Sequence, residues 1–499
     1  MKLPQALYYA EQTRQLDEIA ITQEGIPGST LMCRAGQASL ALLRQRYPRA
    51  RIIAVVCGVG NNGGDGYVVA RLAQQAGLMP VVLELGDPER RRGDARAARE
   101  KMEAAGVRCH PFRASRLESA EVIVDALFGT GLEREVTDDW QVAIDAINAA
   151  NVAVLAIDIP SGLHADSGRV LGAAVHADVT ITFIGLKTGL FTGEGPGFRG
   201  RLVFDDLGVP TDVYRNVPPS ALRITEQSLL SLAPRRRRTL HKGDVGHVIV
   251  IGGTEGMSGA VRLAGEAACR TGAGLVTVAT HPTHAAHIGS NRPELMTYAV
   301  SEVKQLRAAI ERATVIAVGP GLGREQWGRR MLATALESSK PLVVDADGLN
   351  LLAPDPMKRD DWVLTPHPGE AARLLTCTSA EVQAQRFDAV RSLAERFGGV
   401  IVLKGAGTLI AESGDRDVWL CDAGNPGMAS GGMGDVLTGI IAALLAQGLS
   451  RLDAARLGVW LHATAADDAA RDNGEIGLLA SDLLPLVRTR LNRLSIHEA

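Results

Sequence analysis

The chain has 499 residues, 46% of them hydrophobic and 22% charged, with a formal net charge of −3. That balance supports sizeable cores, in about three average domains or two larger ones. It gives no bulk electrostatic case for nucleic acid or an anionic membrane, and no uncharged apolar run approaches the ~20 residues of a bilayer span. In chain order, the opening MKLPQALYYAEQTRQLDEIAI carries Glu11, Asp17 and Glu18 where a signal peptide needs an apolar core. It is predicted to be a helical arm. Six cysteines, at 33, 57, 109, 269, 377 and 421, include no C-x-x-C pair. Neither a zinc site nor a disulfide framework is suggested, and reduced thiols in a cytoplasmic protein are expected.

From residue 52 to about 208, the apolar runs RIIAVVCGV, PVVLELG, EVIVDALFG, VAVLAIDIP, DVTITFIG and RLVFDDLG read as strands. Helix-period segments YVVARLAQQAG, DARAAREKMEAAG and DWQVAIDAINAA separate the first four. Continuous apolar strands with helices between them predict a parallel sheet covered on both faces. The pattern restarts at HVIVIGG and continues through GLVTVAT, VIAVGPG, PLVVDAD, WVLTPH and VIVLKG. A hairpin follows in TLIAESGDRDVWLC, with its turn at Ser413–Asp415. The expected fold is therefore two doubly wound α/β domains, residues 1–220 and 225–499. The basic run Arg235–Arg238, which lies between two structured-looking segments, is expected to be a solvated linker.

Ligands of open α/β sheets bind beyond the carboxyl ends of the strands, and the motifs fall there. CGVGNNGGDG contains G-x-G-x-x-G at Gly58, Gly60 and Gly63, with Glu84 at the end of the next strand, a pattern that raises a bound dinucleotide. Gly63, Gly64 and Gly66 allow positive φ and close backbone approach to a phosphate. Two amides, Asn61 and Asn62, and the carboxylate Asp65 put side-chain oxygens beside that loop; a tight turn is the plain alternative. Asp125 and Ser161 end neighbouring strands, so three oxygen-bearing loops could surround a hard cation.

GNNGGDG, VDALFGTGLERE and AIDIPSGLHADSG together resemble the NAD(P)H-hydrate epimerase family, the N-terminal YjeF-type domain, over roughly residues 10–215. The resemblance implies a Rossmann-like fold. The implied substrate is NADHX or NADPHX, the reduced dinucleotide damaged by water adding across its nicotinamide ring. It implies that Asn61, Asn62, Gly63, Gly64 and Asp65 bind the hydrate. Gly129, Thr130, Gly131, Leu132, Glu133, Arg134, Glu135 and Asp158 would join them. It also implies a potassium ion held by Asn62, Asp125 and Ser161. Inverting the hydroxyl-bearing carbon requires an acid/base, for which Asp158 is the candidate and Lys187 a second. A loop cap is the alternative for Asp158, and a solvated strand-end lysine for Lys187.

GNPGMASGGMGDVLTGIIAALLAQG, residues 424–448, predicts a helix apolar all round, hence buried, with the Gly432–Gly434 amides and Asp435 at its N-terminus. An anion hole beside a carboxylate suits phosphoryl transfer; capping is the alternative for Asp435. G-x-G-D resembles the ribokinase-like superfamily. With HKGDVGHVIVIGG, SGA, VGPGLG, DADGLNLL, TPHPGE and LKGAGT, residues 225–495 resemble ADP-dependent NAD(P)H-hydrate dehydratase. The resemblance places the hydrate near Ala260, Gly321, His367 and Asp435. It places the nucleotide near Lys404, Gly405, Ala406, Gly407, Thr408 and Gly434. It further implies ADP as co-substrate, magnesium with the nucleotide, and a hydrate hydroxyl phosphorylated and then expelled as phosphate.

The expected partners are small molecules and further copies of the chain in a homo-oligomer. A vitamin-type kinase with a ligand-binding first domain is the main alternative. A non-catalytic interaction protein and a nicotinamide-dependent dehydrogenase are the others.

Overall fold

The computed structural model describes residues 3–290 and 292–496. The chain divides into two units, the first ending at Leu222 and the second beginning at Arg223.

In the first unit seven parallel strands stand in the spatial order Cys109–Pro111, Met79–Glu84, Ile52–Cys57, Val122–Ala126, Ala153–Ile157, Val179–Phe183 and Arg201–Asp205. Val122–Ala126 and Val179–Phe183 are buried at every position because helices lie on both faces. Ile53, Val55 and Cys57 pack with helices Gly28–Arg46 and Asn61–Gln75, whereas Ala54 and Val56 pack with Asp138–Ala149. Strand order reverses between Ile52–Cys57 and Val122–Ala126, which opens the ligand crevice at their carboxyl ends. Three short strands lacked a periodic signal in the sequence: Cys109–Pro111, Ala6–Tyr8 and Leu186–Lys187. The last two pair in parallel, Tyr8 opposite Lys187.

Gly63, Gly64 and Gly66 do not take positive φ; they form the first two turns of the helix Asn61–Gln75. Their role is close packing. A Cβ on Gly63 would lie 2.2 Å from the Gly58 carbonyl oxygen, and one on Gly66 2.7 Å from Ala126 Cβ and 2.8 Å from Cys57 Sγ. Without side chains there, the helix start can sit on the strand ends.

The second unit has parallel strands in the order Met296–Ala299, Leu275–Thr280, His247–Gly252, Val315–Val318, Leu342–Val344, Trp362–Leu364 and Val400–Leu403. Thr408–Glu412 and Val418–Cys421 continue it as an antiparallel hairpin. The helix Met433–Ala446 is buried continuously from Val436 to Leu445. It crosses helix Ser258–Thr271 so closely that a Cβ on Gly439 would lie 2.0 Å from the Ala264 carbonyl oxygen. Arg235–Arg238 is exposed, and Arg236 donates to the carbonyl of Gly272 at the end of that second helix. Among the described residues no helix is long and apolar enough to cross a membrane.

Because backbone opposes a side chain at Gly439, the substitution Gly439→Ala should destabilise the full chain by about 1–3 kcal/mol or more. A clear fall in Tm is expected; an unchanged Tm would show that the two helices have slack.

Candidate active sites

The crevice of the first unit is a cavity of about 1040 Å³. Its wall includes Asn61, Asn62, Asp65, Gly129, Thr130, Gly131, Leu132, Glu133, Arg134 and Asp158, together with Lys187. Three residues expected at the substrate are not on that wall. Gly63 and Gly64 face protein, Gly64 against Met32 and Ala95, and Glu135 is exposed where the chain turns back through the Val136 N–H to the Leu171 carbonyl, 2.8 Å.

Behind the wall, Asp125 is fully buried at the end of its strand. Its Oδ1 accepts from Ser161 Oγ at 2.6 Å and its Oδ2 from the Ser161 N–H at 2.8 Å. Burial, only partly offset by these bonds, pushes the carboxyl up to about 6. Asn62 Nδ2 donates to the Phe128 carbonyl at 2.7 Å, and Phe128 N–H donates to Ser161 Oγ at 2.8 Å. Asn62 Oδ1 is buried without a hydrogen-bond partner. The three expected ligands are thus linked in one patch of neutral and anionic oxygens.

Asp158 sits at φ 68°, just past Ile157. Its Oδ1 is ion-paired with Lys187, whose Nζ also donates to Thr182 Oγ1 and the Phe183 carbonyl, each at 3.0 Å. Lys187 is 2% exposed, so it is not a solvated lysine, and Asp158 is a salt-bridge partner with no cap to supply. Asp65 and Asp17 line the same cavity, as do Asp87 and Asp94. Burial, then Asp158 and Asp17, push Asp65 well above the usual carboxylate range. Burial, against the pull of Lys187, lifts Asp17 to about 6. Asp17 had no sequence signal, being one acid on an amphipathic arm. Glu84, which a dinucleotide cofactor would need for its ribose, is instead tied to Arg99 at 2.6 Å, Arg91 at 3.2 Å and the Tyr67 hydroxyl at 2.8 Å.

In the second unit, strand ends and one helix start converge on Lys404. Its Nζ lies 2.7 Å from Asp345 Oδ1 and 3.8 Å from Glu370 Oε2. Thr438 Oγ1, one turn beyond Asp435, donates to Asp345 Oδ2 at 2.8 Å. Burial works to raise Asp345, but Lys404 and the bonds from Lys404, Thr438 and Thr365 outweigh it and hold the carboxyl below its usual range. Glu370 is pushed up to about 7 by burial, against Lys404 and with Asp345. Asp435 is likewise pushed up to about 7, by burial first and by the Asp345 charge next.

Asp435 does not cap its helix. The N-cap is Gly432, at φ 90°, and no hydrogen bond engages the Asp435 carboxyl among the described residues. Gly434 leaves room for the lysine: a Cβ there would stand 3.2 Å from Lys404 Nζ and 3.4 Å from Asp345 Oδ2. Ala260 and Gly321 are neighbours, Ala260 Cβ lying 3.2 Å from where a Cβ of Gly321 would be. His367 caps the helix Pro368–Leu375, its Nδ1 accepting from Gly369 N–H at 3.0 Å while Glu370 Oε2 accepts from His367 N–H at 2.8 Å.

Residues Lys404–Thr408 link strand Val400–Leu403 to Thr408–Glu412, with Gly405 at φ 131° and Gly407 at φ 66°. Under this loop lies Arg386, 2% exposed, donating to the carbonyls of Leu403, Lys404 and Gly407 at 3.2–3.4 Å. Sequence reading missed Arg386, which carries no motif. It also assigned no role to Asp345 or Glu370, although both stand in the DADG and TPHPGE motifs at strand ends.

Residues 248–488 match the family described as NAD(P)H-hydrate dehydratase, and residues 28–189 match the YjeF-related protein N-terminus. The bifunctional NAD(P)H-hydrate repair enzyme Nnr of Coxiella burnetii is 49% identical over 97% of this chain and 99% of its own length. That of Escherichia coli is 44% identical over 99% and 95%. A crystal structure of the ADP/ATP-dependent NAD(P)H-hydrate dehydratase of Bacillus subtilis, co-crystallised with ATP and Mg2+, is 30% identical. It superposes with a TM-score of 0.50, covering 54% of this chain and 97% of that one. Two wound units with these carboxyl clusters, matched end to end by such relatives, place the chain in the family of bifunctional NAD(P)H-hydrate repair enzymes.

Proposed function

We propose that the first unit interconverts the R and S hydrates of NADH and NADPH. The second then returns the S form to NAD(P)H, with ADP as phosphoryl donor and AMP and phosphate as products. The observation that carries the dehydratase half is the Asp435 carboxyl, lacking a hydrogen-bond partner among the described residues at the N-terminus of a buried helix and close to Lys404. Hydroxide is a poor leaving group. Asp435 takes the proton of the hydrate hydroxyl as its oxygen attacks the terminal phosphoryl group. The Gly432–Gly434 amides face the charge that moves. Lys404, steadied by Asp345 and Glu370, adds positive charge at the same point, and Arg386 holds the Lys404–Thr408 loop against the nucleotide. Phosphate then leaves and the conjugated ring is restored.

In the first unit, Asp158 and Lys187 stand at the hydrate ring. Asn62, Asp125 and Ser161 fit a potassium ion, since a buried amide oxygen with no partner lies beside one carboxylate and a hydroxyl. When bound, the ion supplies fixed positive charge near the Gly129–Arg134 loop. Magnesium would come with the nucleotide and be held largely by its phosphates. Among the described residues no group of three or more His, Cys, Asp or Glu is arranged to hold a metal. Six cysteines without a disulfide suit a reducing compartment, the cytoplasm.

Asp435→Asn should lower kcat/KM for the S hydrate by roughly 10²–10⁴-fold. It should move Tm by no more than about 2 °C, because the carboxyl makes no hydrogen bond to lose. Turnover at the wild-type rate would remove Asp435 from the reaction. A base lifted to about 7 must be ionised to act, so kcat/KM should climb as pH rises and level off above about pH 7; a flat profile in wild type contradicts that role. Replacing potassium by choline should slow epimerisation of the R hydrate and leave dehydration of pure S hydrate unchanged. Equal loss of both would place the ion elsewhere.

A further inference from the structure

Strand Ala6–Tyr8 pairs with Leu186–Lys187, Tyr8 opposite Lys187, and helix Ala10–Thr22 begins two residues later. The Ala10 N–H donates to Asp166 Oδ1 at 2.6 Å, which pins the helix start. Farther along, Thr13 and Leu16 press on Gly185, where a Cβ would lie 2.7 Å from Thr13 Cγ2 and 3.3 Å from Leu16 Cδ1. The arm is therefore seated on the segment that carries Lys187, and it contributes Thr13, Arg14, Asp17 and Ile21 to the cavity wall. No hydrogen bond or ion pair engages the Asp17 carboxyl among the described residues. The arm also precedes residue 28, where the match to the YjeF-related family begins.

We propose that Asp17 is a second proton-transfer residue of the epimerase site, acting together with Asp158 on the same cavity wall. This rests on the epimerase reading above. Water adding across the ring's enamine double bond leaves the hydroxyl on the carbon next to the ring nitrogen. A proton passes from the Asp17 carboxyl to that hydroxyl oxygen. The carbon–oxygen bond breaks, water leaves, and the nitrogen lone pair forms the C=N bond of a cationic iminium. Water then attacks the opposite face, the C=N π pair returns to nitrogen, and the surplus proton passes to the Asp158 carboxylate. Neutral hydrate gives neutral hydrate, with one proton moved from Asp17 to Asp158; exchange with solvent or turnover of the opposite epimer resets the pair.

The two groups have the environments this needs. Asp158 is ion-paired with a buried lysine, while Asp17, lifted to about 6, is within reach of both protonation states near neutrality. Asp65 is pushed well above the usual carboxylate range by its burial.

The test uses the full chain, pure R hydrate without nucleotide, and subtraction of the spontaneous rate. Asp17→Asn should lower the epimerisation kcat by roughly 10²–10⁴-fold with KM within about threefold of wild type. Asp17→Glu should recover part of the rate. Dehydration of pure S hydrate with ADP should be unchanged in both, which reports an intact fold. In H₂¹⁸O the wild-type product epimer should carry the label. Wild-type kcat in Asp17→Asn, a change confined to KM, no recovery in Asp17→Glu, or an unlabelled product would each overturn the proposal. If the wild-type chain fails to epimerise R hydrate at all, the epimerase reading itself falls.

Discussion

Each site is organised around a lysine paired with an aspartate at a strand end, the lysine buried in the first unit and partly exposed in the second. Lys187 meets Asp158 in the first unit and Lys404 meets Asp345 in the second. An ammonium taken out of water is tolerable only when paired and hydrogen-bonded, and removing one partner of such a pair costs about 3–5 kcal/mol. The local backbone is shaped to satisfy it. Thr182 and the Phe183 carbonyl complete the shell of Lys187, and Thr438 completes that of Asp345. In both units the pair sits among further acids whose protons it leaves poised. Asp65 and Asp17 stand near the first, and Glu370 and Asp435 near the second. Carboxyls driven apart in acidity at one site are the arrangement that acid–base chemistry requires.

The second constraint is steric. The ligand crevice of the first unit lies where strand order reverses, and in both units a helix start is brought against the sheet ends by glycine. Gly63 and Gly66 admit the helix Asn61–Gln75, and Gly434 admits Lys404 beside the start of Met433–Ala446. The sequence pattern G-x-G-x-x-G suggested dinucleotide binding of the cofactor kind. The structure gives those glycines a packing role and commits Glu84 to arginines, and the wall of the same crevice includes Asn61, Asn62 and the Gly129–Arg134 loop.

Legibility in the sequence followed physical cause. Central strands were visible because a parallel sheet buried on both faces demands unbroken apolar runs. The helix Met433–Ala446 was visible because burial on all sides removes its polar face. Ala6–Tyr8 and Leu186–Lys187 are too short for any periodicity, and their pairing depends on residues nearly 180 apart in the chain. Asp345 and Glu370 stood inside recognisable motifs, yet only the approach of Lys404 gives them a task. Asp17 and Arg386 were invisible: one acid on a charged arm and one arginine in an amphipathic helix differ from their neighbours only in what the fold places beside them.

Everything turns on a hydroxyl being made into a leaving group beside Asp435. Pure S hydrate of NADH, incubated with the full chain and ADP, should give inorganic phosphate and reduced-nicotinamide absorbance in a one-to-one ratio, with AMP formed alongside. A stable phosphoester accumulating without that absorbance would contradict the account and make the second unit a kinase.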